Sequence, residues 1–235
     1  MFHVKQLDAL MRRSQEMGID VSPPQAAAMV EILRRMAAEP QNLSSRDAMA
    51  NAVDVHLADS LSGLALPEIR DATGIADLGS GGGFPGLVLA IMLPQIPVTL
   101  VESEGRKADW LSRVAADFPN VRVVADRSES LARDERGTQP VVTARALGPL
   151  PVVMELAAPL LTDGGSLVAW RGRRDTVSDP AAIAAGAVLG LIHTGDVDAH
   201  SITAASRYFS VWRKMGITPE RFPRRPGMAA KRPLS

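Results

Sequence analysis

The chain has 235 residues, 46% apolar and 22% charged, with 26 Lys and Arg balanced by 26 Asp and Glu. That length allows one sizeable core plus an appendage, and the zero net charge leaves any nucleic-acid binding to local clusters of cations. No cysteine is present, which excludes disulfides, thiolate metal sites and iron–sulfur clusters, and no run approaches the ~18 apolar residues of a membrane-spanning helix.

In chain order, residues 1–66 read as a helical region. The first stretch, M-F-H-V-K-Q-L-D-A-L, carries charge through its apolar positions and is not expected to act as a signal peptide, so a cytoplasmic protein is expected. Phe2, Val4, Leu7, Leu10 and Met11 recur at helical spacing. Ser22-Pro23-Pro24-Gln25 has the form of a capping box opening a second helix, with Ala26, Met29, Val30, Leu33, Met36 and Ala37 on its apolar face. The stretch from Pro40 to Ser45 breaks that helix, and a third is expected from about Arg46 to Leu64 with Met49, Val53, Leu57 and Leu61 inward. His56, Asp59 and Ser60 lie three and four apart and share one side of it. Taken alone, His56 reads as a surface or capped core histidine rather than a catalytic one. Pro67 to Asp71 is read as the linker.

Residues 75–90, I-A-D-L-G-S-G-G-G-F-P-G-L-V-L-A, are the informative stretch. A short buried strand carries Asp77 near its end, glycines follow at 79, 81, 82 and 83, and a helix is expected from about Pro85. The glycines permit a sharp turn and close approach of backbone to a ligand. Gly81-x-Gly83-x-x-Gly86 formally satisfies the dinucleotide fingerprint. Asp77-x-Gly79-x-Gly81-x-Gly83, with its acid two residues before the first glycine, instead resembles motif I of the class I S-adenosylmethionine (SAM) methyltransferases. Such a carboxylate is placed near the cationic methionine part of SAM and poorly placed beside a pyrophosphate. Glu102 ends the β-branched run Val98-Thr99-Leu100-Val101, where an acid can accept from both ribose hydroxyls of either cofactor.

From Ile75 onward strands and helices alternate, so residues 67–213 read as an α/β, mostly parallel, doubly wound sheet. Residues 105–118 form an amphipathic helix opened by Arg106 and Lys107, a placement of cations that points to a nearby anion. Strands are expected at Val121–Ala125, followed by Asp126-Arg127-Ser128-Glu129, and at Pro140–Ala144, closing on Arg145. Pro151–Leu161 is read as a helix, Asp163-Gly164-Gly165 as a turn, and Ser166–Trp170 as the fifth strand. The last strands, Leu191–Val197 and Arg207–Arg213, suit an antiparallel edge, which the dinucleotide fold lacks. In the tail, 214–235, Lys214, Arg221, Arg224, Arg225, Lys231 and Arg232 stand against Glu220 alone, and four prolines are expected to deny it regular structure. Phosphate-backbone contact is one reading of such a tail and a merely solubilising extension the other.

Four landmarks in order, D-L-G-S-G-G-G-F-P-G, V-E-S-E-G-R-K, V-V-T-A-R-A and R-F-P-R-R-P-G-M-A-A-K-R-P-L, together resemble the bacterial small-subunit rRNA guanine-N7 methyltransferase family, also called glucose-inhibited division protein B. Asn42-Leu43-Ser44 and His56-Leu57-Ala58-Asp59-Ser60 are similar to its N-terminal motifs. The resemblance implies a class I, Rossmann-like fold with an antiparallel last strand, and SAM-dependent transfer to N7 of one guanine in the decoding-region loop of 16S rRNA. It places cofactor contacts on Gly79, Phe84, Ser128, Glu129 and Arg145, to which the reading above adds Asp77, Gly81 and Glu102. Arg106, Lys107, Arg127, Arg224, Arg225 and Lys231 are the candidate RNA contacts. The substrate is expected to be 16S rRNA or a 30S assembly intermediate, and the protein a monomer without metal or membrane partner. Gly82 departs from the family's usual Ala or Pro, and Gly227-Met228-Ala229-Ala230-Lys231 from its commoner Gly-Thr-Pro-x-Lys. Thr143-Ala144-Arg145-Ala146 stands where enzymes methylating exocyclic amines carry an Asn/Asp-Pro-Pro-Tyr-like motif, which disfavours that chemistry. No general base is expected, because N7 of guanine attacks through an in-plane lone pair. A SAM enzyme acting on a small molecule, and a nucleotide-binding module without catalysis, are the alternatives.

Overall fold

The computed structural model describes residues 2–40, 43–172, 178–199 and 207–235; Asn42 of the upstream motif lies outside them. Helices α1 (Phe2–Glu16) and α2 (Pro23–Ala38) form as their apolar spacing dictates. At the start of α2 the Gln25 side chain accepts from the Ser22 N–H at 3.0 Å, closing the capping box.

The third helix is not continuous. It runs as α3 (Arg46–Ala50), a π-helical segment (Val53–Ala58), α4 (Asp59–Leu61) and a 3-10 turn (Ser62–Ala65). The interruption has a physical cause in the Val55 carbonyl, which accepts from the Arg145 guanidinium at 2.7 Å. The Asp59 N–H, which an α-helix would direct at Val55, bonds instead to the Asp54 carbonyl. A side chain inserted into the ladder is a recognised source of such bulges. The segment expected as a linker holds α5 (Pro67–Arg70), whose Ile69 is fully buried.

Strands β1 (Ile75–Leu78), β2 (Val98–Val101), β3 (Val121–Val124), β4 (Gln139–Arg145), β5 (Leu161–Arg171), β6 (Leu191–Asp198) and β7 (Tyr208–Lys214) form one sheet in the order β3-β2-β1-β4-β5-β7-β6. The first five are parallel, and β7 runs antiparallel to both β5 and β6. The Asp163-Gly164-Gly165 turn is absorbed into β5 as an irregularity opposite Gln139–Val141. Between the strands lie α6 (Gly86–Met92), α7 (Gly105–Ala115), α8 (Ser128–Asp134), α9 (Leu150–Ala157) and α10 (Ser178–Leu189). The period-2 alternation of β1 divides the core. Ile75 joins α1, α2, α6 and Trp110 of α7 on one face, while Ala76 and Leu78 join α9 and α10 on the other.

Four prolines do not keep the tail irregular throughout. Residues Met228–Lys231 make a short α11, and Phe222 and Ala229 are buried in the second core cluster. Arg136 fastens the preceding turn through the Thr218, Pro219 and Phe222 carbonyls. Arg224 donates through Nε and a terminal nitrogen to both oxygens of Glu155 on α9, and its backbone N–H bonds to the same carboxylate. The Glu155 side chain is 1% exposed and that of Arg224 25%, so removing the arginine leaves a buried carboxylate uncompensated. Arg224→Ala is expected to cost about 3 kcal/mol, the lower end for a broken buried pair. Melting curves should show it as a fall in Tm of roughly 6–12 °C.

Candidate active site

The sheet reverses its winding between β1 and β4, since β2 and β3 lie to one side of β1 and β4 and β5 to the other. Ligands of open α/β sheets bind beyond the carboxyl ends of the strands at such a point. The glycine turn leaves β1 there. Gly79 and Gly81 have φ of +66° and +56°, which side-chain-bearing residues rarely adopt. A Cβ on Gly79 would meet Leu147 at 2.5 Å, whereas one on Gly81 would find nothing nearer than the Gly79 carbonyl at 3.8 Å, so Gly81 faces open space. Gly82 has no such backbone requirement. A Cβ there would press Met36 Sδ at 3.2 Å, and its carbonyl accepts from Trp110 Nε1 at 3.3 Å.

Four N–H groups of this turn have acceptors within the protein. Gly79 and Ser80 both donate to the Val101 carbonyl, Gly83 to Ser80, and Gly81 to Glu102 Oε2 at 2.9 Å. Of these acceptors, only the Glu102 carboxylate is a side chain able to exchange its partner for a ligand. Its other oxygen accepts from the Glu104 N–H at 2.8 Å, so the carboxylate sits fixed at the end of β2.

Asp77 is fully buried. Its register opposite Thr143 brings the threonine hydroxyl to Oδ1 at 2.8 Å, and the first N–H of α6, from Gly86, reaches Oδ2 at 3.3 Å. Both oxygens are thus engaged within the protein, and the residue braces the turn against β4. Burial pushes its carboxyl up to about 6, against the opposing pull of the Thr143, Ser80 and Gly86 hydrogen bonds and the Arg145 charge.

Beyond the ends of β1, β2 and β3 lies a cavity of about 160 Å³, the size class of a purine rather than of a whole nucleoside. Its lining includes Gly79, Ser103, Ser128, Glu129 and Leu147, and the tail residues Gly227, Ala229 and Ala230. Ser128 and Glu129 open α8 and are buried, and Glu129 Oε1 accepts from the Gly227 N–H at 2.8 Å.

Arg145, a candidate cofactor contact, is engaged within the protein. One terminal nitrogen donates to the Val55 carbonyl and to Asp59 Oδ2 at 2.8 Å; the other lies 3.2 Å from His56 Nδ1. A guanidinium only donates, so Nδ1 is the unprotonated nitrogen of a neutral ring and Nε2–H points to Ser44 Oγ at 2.8 Å. Burial first, then the charges of Arg145 and Arg207, lower the His56 pKa to about 4. The ring stacks on Phe84 at 4.9 Å and 20°, with the Arg145 guanidinium 5.8 Å from the Phe84 centroid. Ala146, the next residue, has φ of +56°, a conformation costing roughly 1–2 kcal/mol for an L-residue.

The chain therefore brings Gly79, Gly81, Glu102, Ser128 and Glu129 to one crevice and puts Phe84 and Arg145 together beside it, while Asp77 stays behind the turn. Arg106, Arg127, Arg225 and Lys231 are exposed, Lys107 pairs with Glu104 at 2.7 Å, and Arg224 is turned inward onto Glu155. Sequence reasoning missed Glu155 and Gly227 as site-forming residues. A single acid inside the apolar helix L-P-V-V-M-E-L-A was the available signal for a buried ion pair.

A carboxyl whose folded pKa lies above its ordinary 3.8 binds its proton more tightly in the folded chain. Its stabilising contribution is complete below that value and is lost as the pH rises through about 6. Asn at position 77 can accept from Gly86 and donate to the Thr143 hydroxyl without titrating. Unfolding free energies measured against pH should show Asp77→Asn gaining on the natural chain, by on the order of 3 kcal/mol in total, across that window.

Comparison with known proteins places the chain in a family. Residues 24–185 match the family described as rRNA small subunit methyltransferase G. A protein of that name from Chloroflexus aggregans is 43% identical over 187 residues, covering 76% of each chain. Another from Rubrobacter xylanophilus is 35% identical over 99% of this chain and 94% of its own, and one from Deinococcus radiodurans 35% identical over 97% and 92%. Among solved structures, the [4+2]-cyclase SpnF aligns with a TM-score of 0.56 at 14% identity, covering 80% of this chain and 93% of its own. The 16S rRNA (adenine(1408)-N(1))-methyltransferase from Catenulisporales acidiphilia aligns at 0.53 and 16% identity, over 65% and 90%. The match across most of its length shows that this chain belongs to the rRNA small subunit methyltransferase G family.

Proposed function

We infer that this protein transfers the methyl group of SAM to N7 of a guanine in bacterial 16S rRNA. The observation that carries the reading is the crevice at the switch point, where the open face of Gly81, the Glu102 carboxylate and the purine-sized cavity beside Ser128 and Glu129 follow one another. In this reading Glu102 would hold the two ribose hydroxyls of SAM in place of the Gly81 N–H, and Ser128 and Glu129 would hold its adenine. The neighbouring Phe84 and Arg145 lie toward the methionine end. SAM supplies an electrophilic methyl group, and every other requirement is alignment of N7 with it.

N7 carries its lone pair in the ring plane at neutral pH and loses no proton on attack, so the reaction needs no base. The His56 ring suits this, since its pKa near 4 leaves it neutral throughout the physiological range and its two nitrogens serve Arg145 and Ser44. Alignment alone can remove roughly 7–11 kcal/mol of a barrier. Exposed Arg127 at the cavity, Arg106 at the start of α7, and Arg225 and Lys231 in the tail surround the strand ends, where phosphates of a folded RNA would be met. Among the described residues no helix is long and apolar enough to cross a membrane. A monomer acting in the cytoplasm, on rRNA or an assembling 30S particle, is the form proposed.

Mapping N7-methylguanine in rRNA from cells with and without this protein tests the reading, and an unchanged map ends it. Arg225→Ala with Lys231→Ala is expected to weaken RNA binding and to reduce the salt slope by about one unit per lost phosphate contact. An unaltered slope removes these residues from the interface. Single-turnover methyl transfer should be flat from about pH 6 to 8, because no catalytic base titrates there. A rise with an apparent pKa near that of free histidine, lost in His56→Ala, would overturn the mechanism.

A further inference from the structure

Three features of the molecule could carry a further role. One is a groove of about 350 Å³ between α1 and the α3 segment, where Arg13 is already paired with Asp54 and Glu16. Another is the neutral His56 between Arg145 and Ser44, which belongs to the site already described. The third is the tail, and it carries furthest.

We propose that the C-terminal tail is a wall of the cofactor site, closing the adenine end of the crevice, in addition to any contact it makes with RNA. This rests on the reading that the crevice binds SAM. Three tail residues, Gly227, Ala229 and Ala230, line the cavity opposite Gly79, Val101 and Ser128. They are held there by anchors on both sides. The Gly227 N–H bonds to Glu129, one of the candidate cofactor contacts, and Arg224 is clamped on Glu155. Arg224 also donates to the Arg232 carbonyl, folding α11 back over the cavity. With one Glu129 oxygen fixed by the tail, the other remains to accept from the exocyclic amine of adenine. The lining residues at 227, 229 and 230 are small, and their neighbours Arg225, Lys231 and Arg232 are exposed. One short segment thus has a face toward the nucleoside and a face toward polyanion. Cofactor and RNA are then linked, and whichever orders the tail helps the other by the same factor.

Calorimetry with S-adenosylhomocysteine tests this on three proteins. These are the full chain, Ala230→Phe, and a chain ending at Pro219 that carries Glu155→Gln so that the acid answered by Arg224 is not left as a buried charge. The full chain should bind, and Ala230→Phe, with a ring at the cavity wall, should bind about tenfold more weakly or worse at an unchanged Tm. The shortened chain should lose at least as much, and if it does not fold Ala230→Phe decides alone. Full affinity in either folded variant overturns the proposal and leaves the cofactor reading standing. No binding by the full chain overturns both.

Discussion

The guanidinium of Arg145 joins the end of β4 to the helical turn that covers it, and much of the site depends on that junction. Taking Arg145 and Asp59 out of water is expensive, and an ion pair alone does not reliably repay it. Here the side chains are only 15% and 6% exposed. The desolvation is shared by further partners. Val55 gives up its carbonyl, His56 a ring nitrogen, and Arg207 approaches the second Asp59 oxygen at 3.4 Å. Trp170 Nε1 holds the Asp59 carbonyl at 2.9 Å from β5. The π-helical segment is the local consequence: the helix yields one rung of its ladder so that a strand end can be fixed.

A second constraint lies one strand away, at Asp77. A fully buried carboxylate is kept because it bridges β4 and the start of α6, through Thr143 and Gly86. With those two elements held, the glycine turn between them has little freedom. Its N–H groups are satisfied by Val101, Ser80 and Glu102 before any ligand arrives. A preformed turn of this kind binds without first paying to order the backbone. The acid that the sequence suggests as a ligand contact is buried behind the turn and braces it, while Glu102 and Glu129 present carboxylates at the crevice.

What could be read from the sequence follows from the range of the interactions involved. The first four parallel strands are short apolar, β-branched runs and were legible to within a residue or two, whereas β5 begins at Leu161, five residues before the expected Ser166, because the Asp163-Gly164-Gly165 turn is taken into the strand. Helix α2 was legible because its cap is local, Ser22 to Gln25. The break at Val53–Ala58 was not, because its cause is an arginine about 90 residues downstream. The tail was misread for the same reason. Its prolines are local facts, but Glu129 and Glu155, which order it, are 98 and 69 residues away. Charge counting placed Arg224 on phosphate, and only the fold reveals the buried acid it answers.

The electrostatics of the site also bear on the proposed chemistry. Methylation at N7 turns a neutral base into a cation, while the sulfonium of SAM becomes a neutral thioether, so positive charge moves from cofactor to substrate without leaving the site. An enzyme for such a step gains little from a lone positive charge aimed at the base. The one nearest the glycine turn, Arg145, is offset by Asp59 at 2.8 Å, and burial keeps His56 uncharged beside it. Had the histidine kept its ordinary pKa, a protonated ring stacked on Phe84 would oppose the developing charge in mildly acidic conditions. Its two hydrogen bonds fix the tautomer as well as the charge: Nδ1 must accept from Arg145, so Nε2 must donate to Ser44. The histidine therefore adds no charge of its own beside Arg145, Arg207 and Asp59, before or after methyl transfer.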